Sequence, residues 1–204
     1  MITKQLPLPE LEIFTPLKKT AVLDGEVLLW VDVEATHLNP ATSELLQVAA
    51  VLTDLEGVEL ADEFSMVIYH PNGEELYRNS IPLIQEMHSS TGLWGKLATG
   101  TPLPEVDAAL LKYVQQGAPE YRQARLAGNS IRLDLNFLEA CLPNTYNHLH
   151  YRSVDVTALA YVFQAWGIVD GYFPKRKAHE ALEDIRESLE EYRWLRRHLS
   201  ALQS

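Results

Sequence analysis

The stretch that most constrains this chain is Val27-Leu28-Leu29-Trp30-Val31-Asp32-Val33-Glu34, an apolar run that carries acids at alternate positions near its end. In a strand, side chains alternate, so Asp32 and Glu34 project from one face while Val31 and Val33 take the other. The neighbouring residues are apolar enough for a central strand covered on both faces. A carboxylate in such a place is costly to bury unless something positive meets it. Two of them need a cation or an edge open to water, and an edge strand with a solvated acidic face is the competing arrangement. The simplest cation is a divalent metal, and the simplest chemistry it would serve is phosphodiester hydrolysis.

The rest of the pattern supplies layers around that strand. Strands are expected at Val27–Glu34, Leu45–Thr53 and Phe64–Tyr69, with Asp54-Leu55-Glu56-Gly57 as a tight turn between the last two. A loop-rich stretch with short helices follows from Pro71 to Thr101. Val106, Leu110 and Val114 recur at helical spacing within Pro104–Gln116. A short strand at Arg125–Asn129 then leads to a helix at Ile131–Cys141, with Asn129 or Ser130 as its cap. Another short strand, Ser153–Val156, precedes a helix at Thr157–Trp166. The final helix spans Glu180–Leu199, with Leu182, Ile185, Leu189, Tyr192 and Leu195 as its apolar stripe. Strands first, then alternating helices and strands, indicate one α/β domain with a mixed sheet over residues 25–204. Residues 1–24 read as an arm, because Pro7, Pro9 and Pro16 break any long helix.

Composition narrows the function. The chain has 204 residues, 47% of them apolar, enough for one fairly large domain with a proper core. Cys141 is the single cysteine, so no internal disulfide forms, and a reducing cytoplasm is the expected home. No segment approaches the length of a membrane span, and the N-terminus lacks the apolar run of a signal peptide. The formal net charge of −11 argues against coating long nucleic acid through phosphate contacts. It leaves room for an enzyme acting on short pieces, with metal ions neutralising some of the acids. Gly128-Asn129-Ser130 is not a Gly-rich phosphate loop, and Cys141 lies in an apolar helix, where a packed thiol is expected rather than a nucleophile.

Three further residues join Asp32 and Glu34. Asp184 lies early in the last helix, on the side of Ala181 and Ser188, where it can look into a cleft between helix and sheet. His179 falls just before that helix, in a loop or first turn. Asp134 lies in the first turn of its own helix. Singly, His179 reads as a surface residue and Asp134 as an acid that complements a helix dipole. Together their order and spacing closely resemble the DEDD exonucleases of the histidine subclass, and within these the oligoribonuclease family. The resemblance rests on Trp-Val-Asp-Val-Glu-Ala-Thr-His-Leu, on Gly-Asn-Ser-Ile with Asp134, on His-Tyr-Arg-Ser-Val-Asp-Val, and above all on Lys-Ala-His-Glu-Ala-Leu-Glu-Asp-Ile-Arg-Glu-Ser. It implies an RNase H-like mixed five-stranded sheet flanked by helices, and 3′-to-5′ hydrolysis of short single-stranded oligonucleotides, RNA favoured, down to dinucleotides.

On that resemblance Asp32, Glu34, Asp134 and Asp184 hold two divalent ions roughly 4 Å apart. Their hard oxygens suit Mg²⁺ or Mn²⁺. His179 is the general base, an imidazole being able to titrate near neutral pH. The resemblance further maps Leu38 onto a wedge between bases and His88 onto a ring that stacks on a base. Ser130, Arg152 and Thr157 map onto a cap over the substrate's 5′ end, and Tyr151 onto a residue lent by the partner of a homodimer. Taken as residues alone, Leu38 fits a core position, His88 a loop hydrogen-bonder, Arg152 a surface ion pair and Tyr151 simple packing. Three positions depart from the family: His37 stands where glycine is usual, Leu83 where tryptophan is common, and Gln47 where an acid is usual. A broader exonuclease acting on DNA or longer RNA, or an inactive module that binds short oligonucleotides, are the competing functions.

Overall fold

The computed structural model describes residues 25–175 and 180–201. The arm assigned to residues 1–24 and the position of His179 lie outside them. Five strands, β1 (Val27–Ala35), β2 (Leu45–Thr53), β3 (Phe64–Val67), β4 (Ala124–Gly128) and β5 (His150–Asp155), form one mixed sheet in the order β3-β2-β1-β4-β5. β1 is central, antiparallel to β2 and parallel to β4. The solvated-edge arrangement for Asp32 and Glu34 is thereby excluded. The strand expected at Phe64–Tyr69 stops at Val67, and Ile68 continues only as an isolated bridge to Thr101.

The helices are α1 (Gly73–Asn79), α2 (Pro82–Ser90), α3 (Leu93–Lys96), α4 (Leu103–Gly117), α5 (Arg132–Cys141), α6 (Pro143–His148), α7 (Val156–Ala165) and α8 (Ala181–Ala201). Alternation along β1 places helices in two layers, one on each face of the sheet. Val27, Leu29, Val31 and Val33 pack with Val106, Leu110 and Val114 of α4 and Phe137 and Leu138 of α5. Leu28 and Trp30 pack with Val156 and Phe163 of α7 and Ile185, Leu189 and Leu195 of α8. Asp32 and Glu34 therefore share the α8 face. Burying such large aliphatic side chains contributes roughly 1.5–3 kcal/mol each.

The cap expected for α5 is absent. Ile131 occupies the N-cap position and no side chain caps it. Asn129 and Ser130 turn the other way, toward α7 and α8, as described below. The β2–β3 turn follows its sequence: Asp54 Oδ1 accepts from the amides of Glu56 (2.8 Å) and Val58 (2.9 Å), and Gly57 takes φ +80°. That turn anchors α8. The Tyr192 hydroxyl donates to the Leu55 carbonyl (2.8 Å), Arg193 Nε to Gly57 (3.0 Å) and Arg196 Nη1 to Glu56 (2.7 Å). A helix tied down at its far turns has a fixed line over the sheet, and Asp184 sits at its near end.

Candidate active site

The site forms where the sheet opens. Parallel pairing between β1 and β4 ends at Trp30–Ala127, one residue before Gly128. Gly128 has φ +155°, and a Cβ there would come within 2.9 Å of Ile131 Cγ2. Past this corner β1 has no strand on that side, and the Val33 amide finds another acceptor, Asp134 Oδ1, at 3.2 Å. A buried amide has to be satisfied. The same parting of strands thus opens the crevice and draws Asp134 to the end of β1. A cleft of about 400 Å³ runs from there along α8, lined by Trp30, Asp32, Asn129, Lys175, Asp184 and Ser188 among others.

Ligand oxygens of Asp32, Glu34 and Asp184 all lie within 4.8 Å of one another. Asp134 lies outside this triad but close enough to act on it. Burial raises the Asp32 carboxyl well above its usual range, and the charges of Asp134, Glu34 and Asp184 raise it further. Burial, with Asp184 and Asp134, pushes Glu34 up to about 8. Burial pushes Asp134 up to about 7, against backbone hydrogen bonds from its own amide and Val33. Each acid makes the next harder to ionise. The donor set is all oxygen and the local charge is uncompensated, which fits hard divalent cations. The three carboxylates form a candidate metal-binding site.

The RNase T exonuclease family model matches residues 29–192, most of the chain. The chain belongs to that exonuclease family, on its oligoribonuclease-like branch. The oligoribonuclease of Leifsonia xyli subsp. xyli is 36% identical over 173 residues, 83% of this chain and 82% of that protein. The oligoribonuclease of Francisella tularensis subsp. holarctica is 33% identical over 177 residues, covering 86% of this chain and 97% of that one. Among solved structures, exonuclease I of Methylocaldum szegediense superposes with a TM-score of 0.65 at 18% identity, over 84% of this chain and 40% of the other. Escherichia coli exonuclease I bound to a 5cy-dT13 oligonucleotide gives 0.65 at 16% identity, over 84% and 41%. The exonuclease described here spans about two fifths of those longer chains and shares their fold.

The residues expected to meet substrate are spread around this centre. Ser130 and Thr157 come together, their hydroxyls 3.2 Å apart. Ser130 adopts φ +50°, a left-handed conformation unusual for a residue with a side chain, and its amide donates to Asp155 Oδ1 at 3.2 Å. Asp155 also caps α7, accepting from the Thr157 and Ala158 amides. Leu38 is 71% exposed, which removes the core alternative. Arg152 and Tyr151 project from β5, the sheet edge. The Arg152 guanidinium lies 5.4 Å from the Tyr151 ring and forms no ion pair among the described residues. His88 is buried, its Nδ1 3.6 Å from Glu34 Oε2. His37 has no positive φ, so the missing glycine costs the backbone nothing there.

Lys175 and Glu191 carried no signal in the sequence. Lys175 Nζ lies 2.8 Å from Glu191 Oε2, which also accepts from Asn129 Nδ2 at 2.9 Å. The same amide nitrogen lies 3.1 Å from Thr157 Oγ1. Asn129 thereby joins α7 to α8 across the cleft. Only the fold brings these four residues together.

Proposed function

We propose that this exonuclease removes nucleotides from the 3′ end of short single-stranded RNA, down to dinucleotides, and releases nucleoside 5′-monophosphates. The observation that carries the reading is the convergence of Asp32, Glu34 and Asp184 oxygens within 4.8 Å, with Asp134 beside them. These acids would hold two divalent ions, Mg²⁺ or Mn²⁺. Once bound, such ions polarise the phosphate and make a water nucleophilic near neutral pH. His179 takes the proton of the attacking water. The water oxygen bonds to phosphorus, the bond to the 3′-oxygen of the preceding nucleotide breaks, and the terminal nucleotide departs.

Substrate length is set away from the acids. The paired hydroxyls of Ser130 and Thr157, with Arg152, supply donors for a terminal 5′ group, and a capped 5′ end excludes longer chains. Leu38, exposed on the loop after β1, is free to lie between two bases. Tyr151 reaches the substrate of a second copy. Tyr151, Tyr161 and Trp166 are all exposed on β5, α7 and the end of α7, and a homodimer through this edge would cover them. A net charge of −11 suits a small ligand better than a long polyanion. Among the described residues no helix is long and apolar enough to cross a membrane, and with one half-buried thiol at Cys141 the cytoplasm is the proposed location.

The test is product analysis on a labelled RNA dinucleotide, a longer RNA and a DNA of matched length, with and without Mg²⁺ or Mn²⁺. Metal-dependent monophosphate release, fastest on the RNA dinucleotide, is expected. Activity that grows with length and ignores the sugar would replace this reading by a broader exonuclease. Leu83 and His37, both departures from the family, make the length and sugar arms the informative ones.

A further inference from the structure

His88 is 1% exposed, and each part of its ring is engaged. Nε2 lies 3.2 Å from the Ala35 carbonyl. A carbonyl only accepts, so this nitrogen carries a hydrogen. Nδ1 faces Glu34 Oε2 at 3.6 Å. Trp94 meets the ring edge-on at 5.4 Å between centroids, and is itself held by its indole N–H to the Gln85 carbonyl at 3.2 Å. Tyr77 packs edge-on behind Trp94 at 5.5 Å. A ring so enclosed presents no open face to a base.

What it does touch is specific. Glu34 and Ala35 are the last two residues of β1, and the register with β2 shifts between them. The ladder that fixes the rest of β1 is therefore irregular where the Glu34 side chain has to be aimed. His88 meets both residues there, one through its backbone carbonyl and the other through its carboxylate. It comes from α2, outside the two layers that hold the sheet, so it braces the strand end from a third direction.

The geometry points to His88 as a positioning residue that keeps the Glu34 carboxylate among the oxygens of Asp32 and Asp184. The inference rests on the metal-site reading above and gives His88 a role other than base stacking. Outer partners of metal-binding side chains commonly change affinity by about 10- to 100-fold when removed. His88→Leu fills the volume of the ring and removes both polar contacts. His88→Asn keeps an amide group near the place of Nδ1.

The experiment measures Mn²⁺ binding to the full chain by calorimetry without substrate, and then KM for an RNA dinucleotide at saturating Mn²⁺. For His88→Leu, Mn²⁺ affinity is expected to fall about tenfold, with KM within about twofold of the parent. His88→Asn is expected to recover most of the lost affinity. Should His88→Leu not fold, His88→Met, which also lacks both polar contacts, takes its place with the same expected loss of about tenfold in Mn²⁺ affinity: a KM raised tenfold with unchanged Mn²⁺ affinity makes His88 a substrate contact and overturns the inference. Unchanged Mn²⁺ affinity in both variants overturns it as well, whatever KM does. If the parent chain itself binds no Mn²⁺, the metal-site reading fails first and this inference with it, an outcome distinct from the other two.

Discussion

Asp107 and Asp134 are the same residue type, each near the start of a helix, each almost fully buried, yet the molecule treats them oppositely. Asp107 Oδ1 accepts from the Thr145 amide (2.9 Å) and hydroxyl (2.8 Å), and its Oδ2 from the Asn144 amide and side chain (both 2.9 Å). Four donors from one end of α6 surround it, so it serves as a cap supplied by another helix. Asp134 has only two backbone donors among the described residues, the Val33 amide at 3.2 Å and its own amide, and lies near the other acids. Burial alone therefore does not mark a functional carboxylate. What distinguishes the two is whether the fold supplies the partners or leaves the charge for something from outside.

The largest expected effect tests the unsatisfied side of that contrast. Asp184→Asn removes one charge from a cluster whose members raise one another's pKa. Turnover at saturating Mg²⁺ should fall on the order of a thousandfold. The metal-free protein should melt no lower than the parent, because repulsion is relieved. Undiminished turnover would remove Asp184 from the metal site. Loss of stability would show that it is held by the fold as Asp107 is.

The satisfied side should behave in reverse. Asp107→Ala leaves the donors of Asn144 and Thr145 without their acceptor and frees the start of α6. Hydrogen bonds to a charged group contribute about 1.5–3 kcal/mol, so a cost of about 3 kcal/mol is expected. For a domain of this size that lowers Tm by about 6–12 °C, while kcat measured well below Tm stays near the parent value. A variant that keeps its Tm but loses activity would collapse the distinction between the two acids.

A third effect separates them by pH. Glu34, near 8, and Asp134, near 7, bind protons more tightly folded than unfolded, where carboxyls titrate near ~4. Between those values the folded chain keeps protons that the unfolded chain has lost. The unfolded state then binds fewer, and unfolding free energy falls as pH rises. The Tm of metal-free protein should decline from about pH 5 to about pH 8, less steeply in Glu34→Gln. Mn²⁺ should flatten the decline by taking the place of the protons. A parent and a Glu34→Gln variant with equal slopes would show that the cluster does not carry the dependence.

The contrast also explains what could be read from the sequence. Asp32 and Glu34 were legible because a strand's period of two is local, and the residues around them identify the strand. The separate strands and the α8 stripe followed from the same kind of pattern, and the RNase H-like arrangement of the sheet from the family resemblance. Helical spacing turned Asp184 toward a cleft, but its meeting with Asp134 at one site gained meaning only through the family motifs, since their approach depends on strands parting at Gly128 and on α8 being tied to a turn more than a hundred residues away. Asp107 gave no signal at all: in sequence it is one more acid near a helix start, and its partners come 37 and 38 residues later. The expected cap of α5 by Asn129 or Ser130 failed for a related reason. Both residues have local cap chemistry, but α7 and α8 offer them better partners, at Thr157, Asp155 and Glu191.

The smallest effect concerns acids that neither the core nor a metal claims. Arg186 Nε meets Glu63 Oε1 at 2.8 Å, and the same guanidinium pairs with Glu183 one turn back on α8. These side chains are substantially exposed, so water already solvates the charges and ordering two long side chains offsets much of the attraction. Arg186→Ala should change stability by less than about 1 kcal/mol, and raising the salt concentration should shrink even that. Its two neighbours in sequence, Ile185 and Glu187, are buried, so the substitution must be read against a double-mutant cycle with Glu63→Gln. A coupling above about 2 kcal/mol would mean that the exposed pair, rather than the turn contacts of Tyr192, Arg193 and Arg196, sets the line of α8 and with it the position of Asp184.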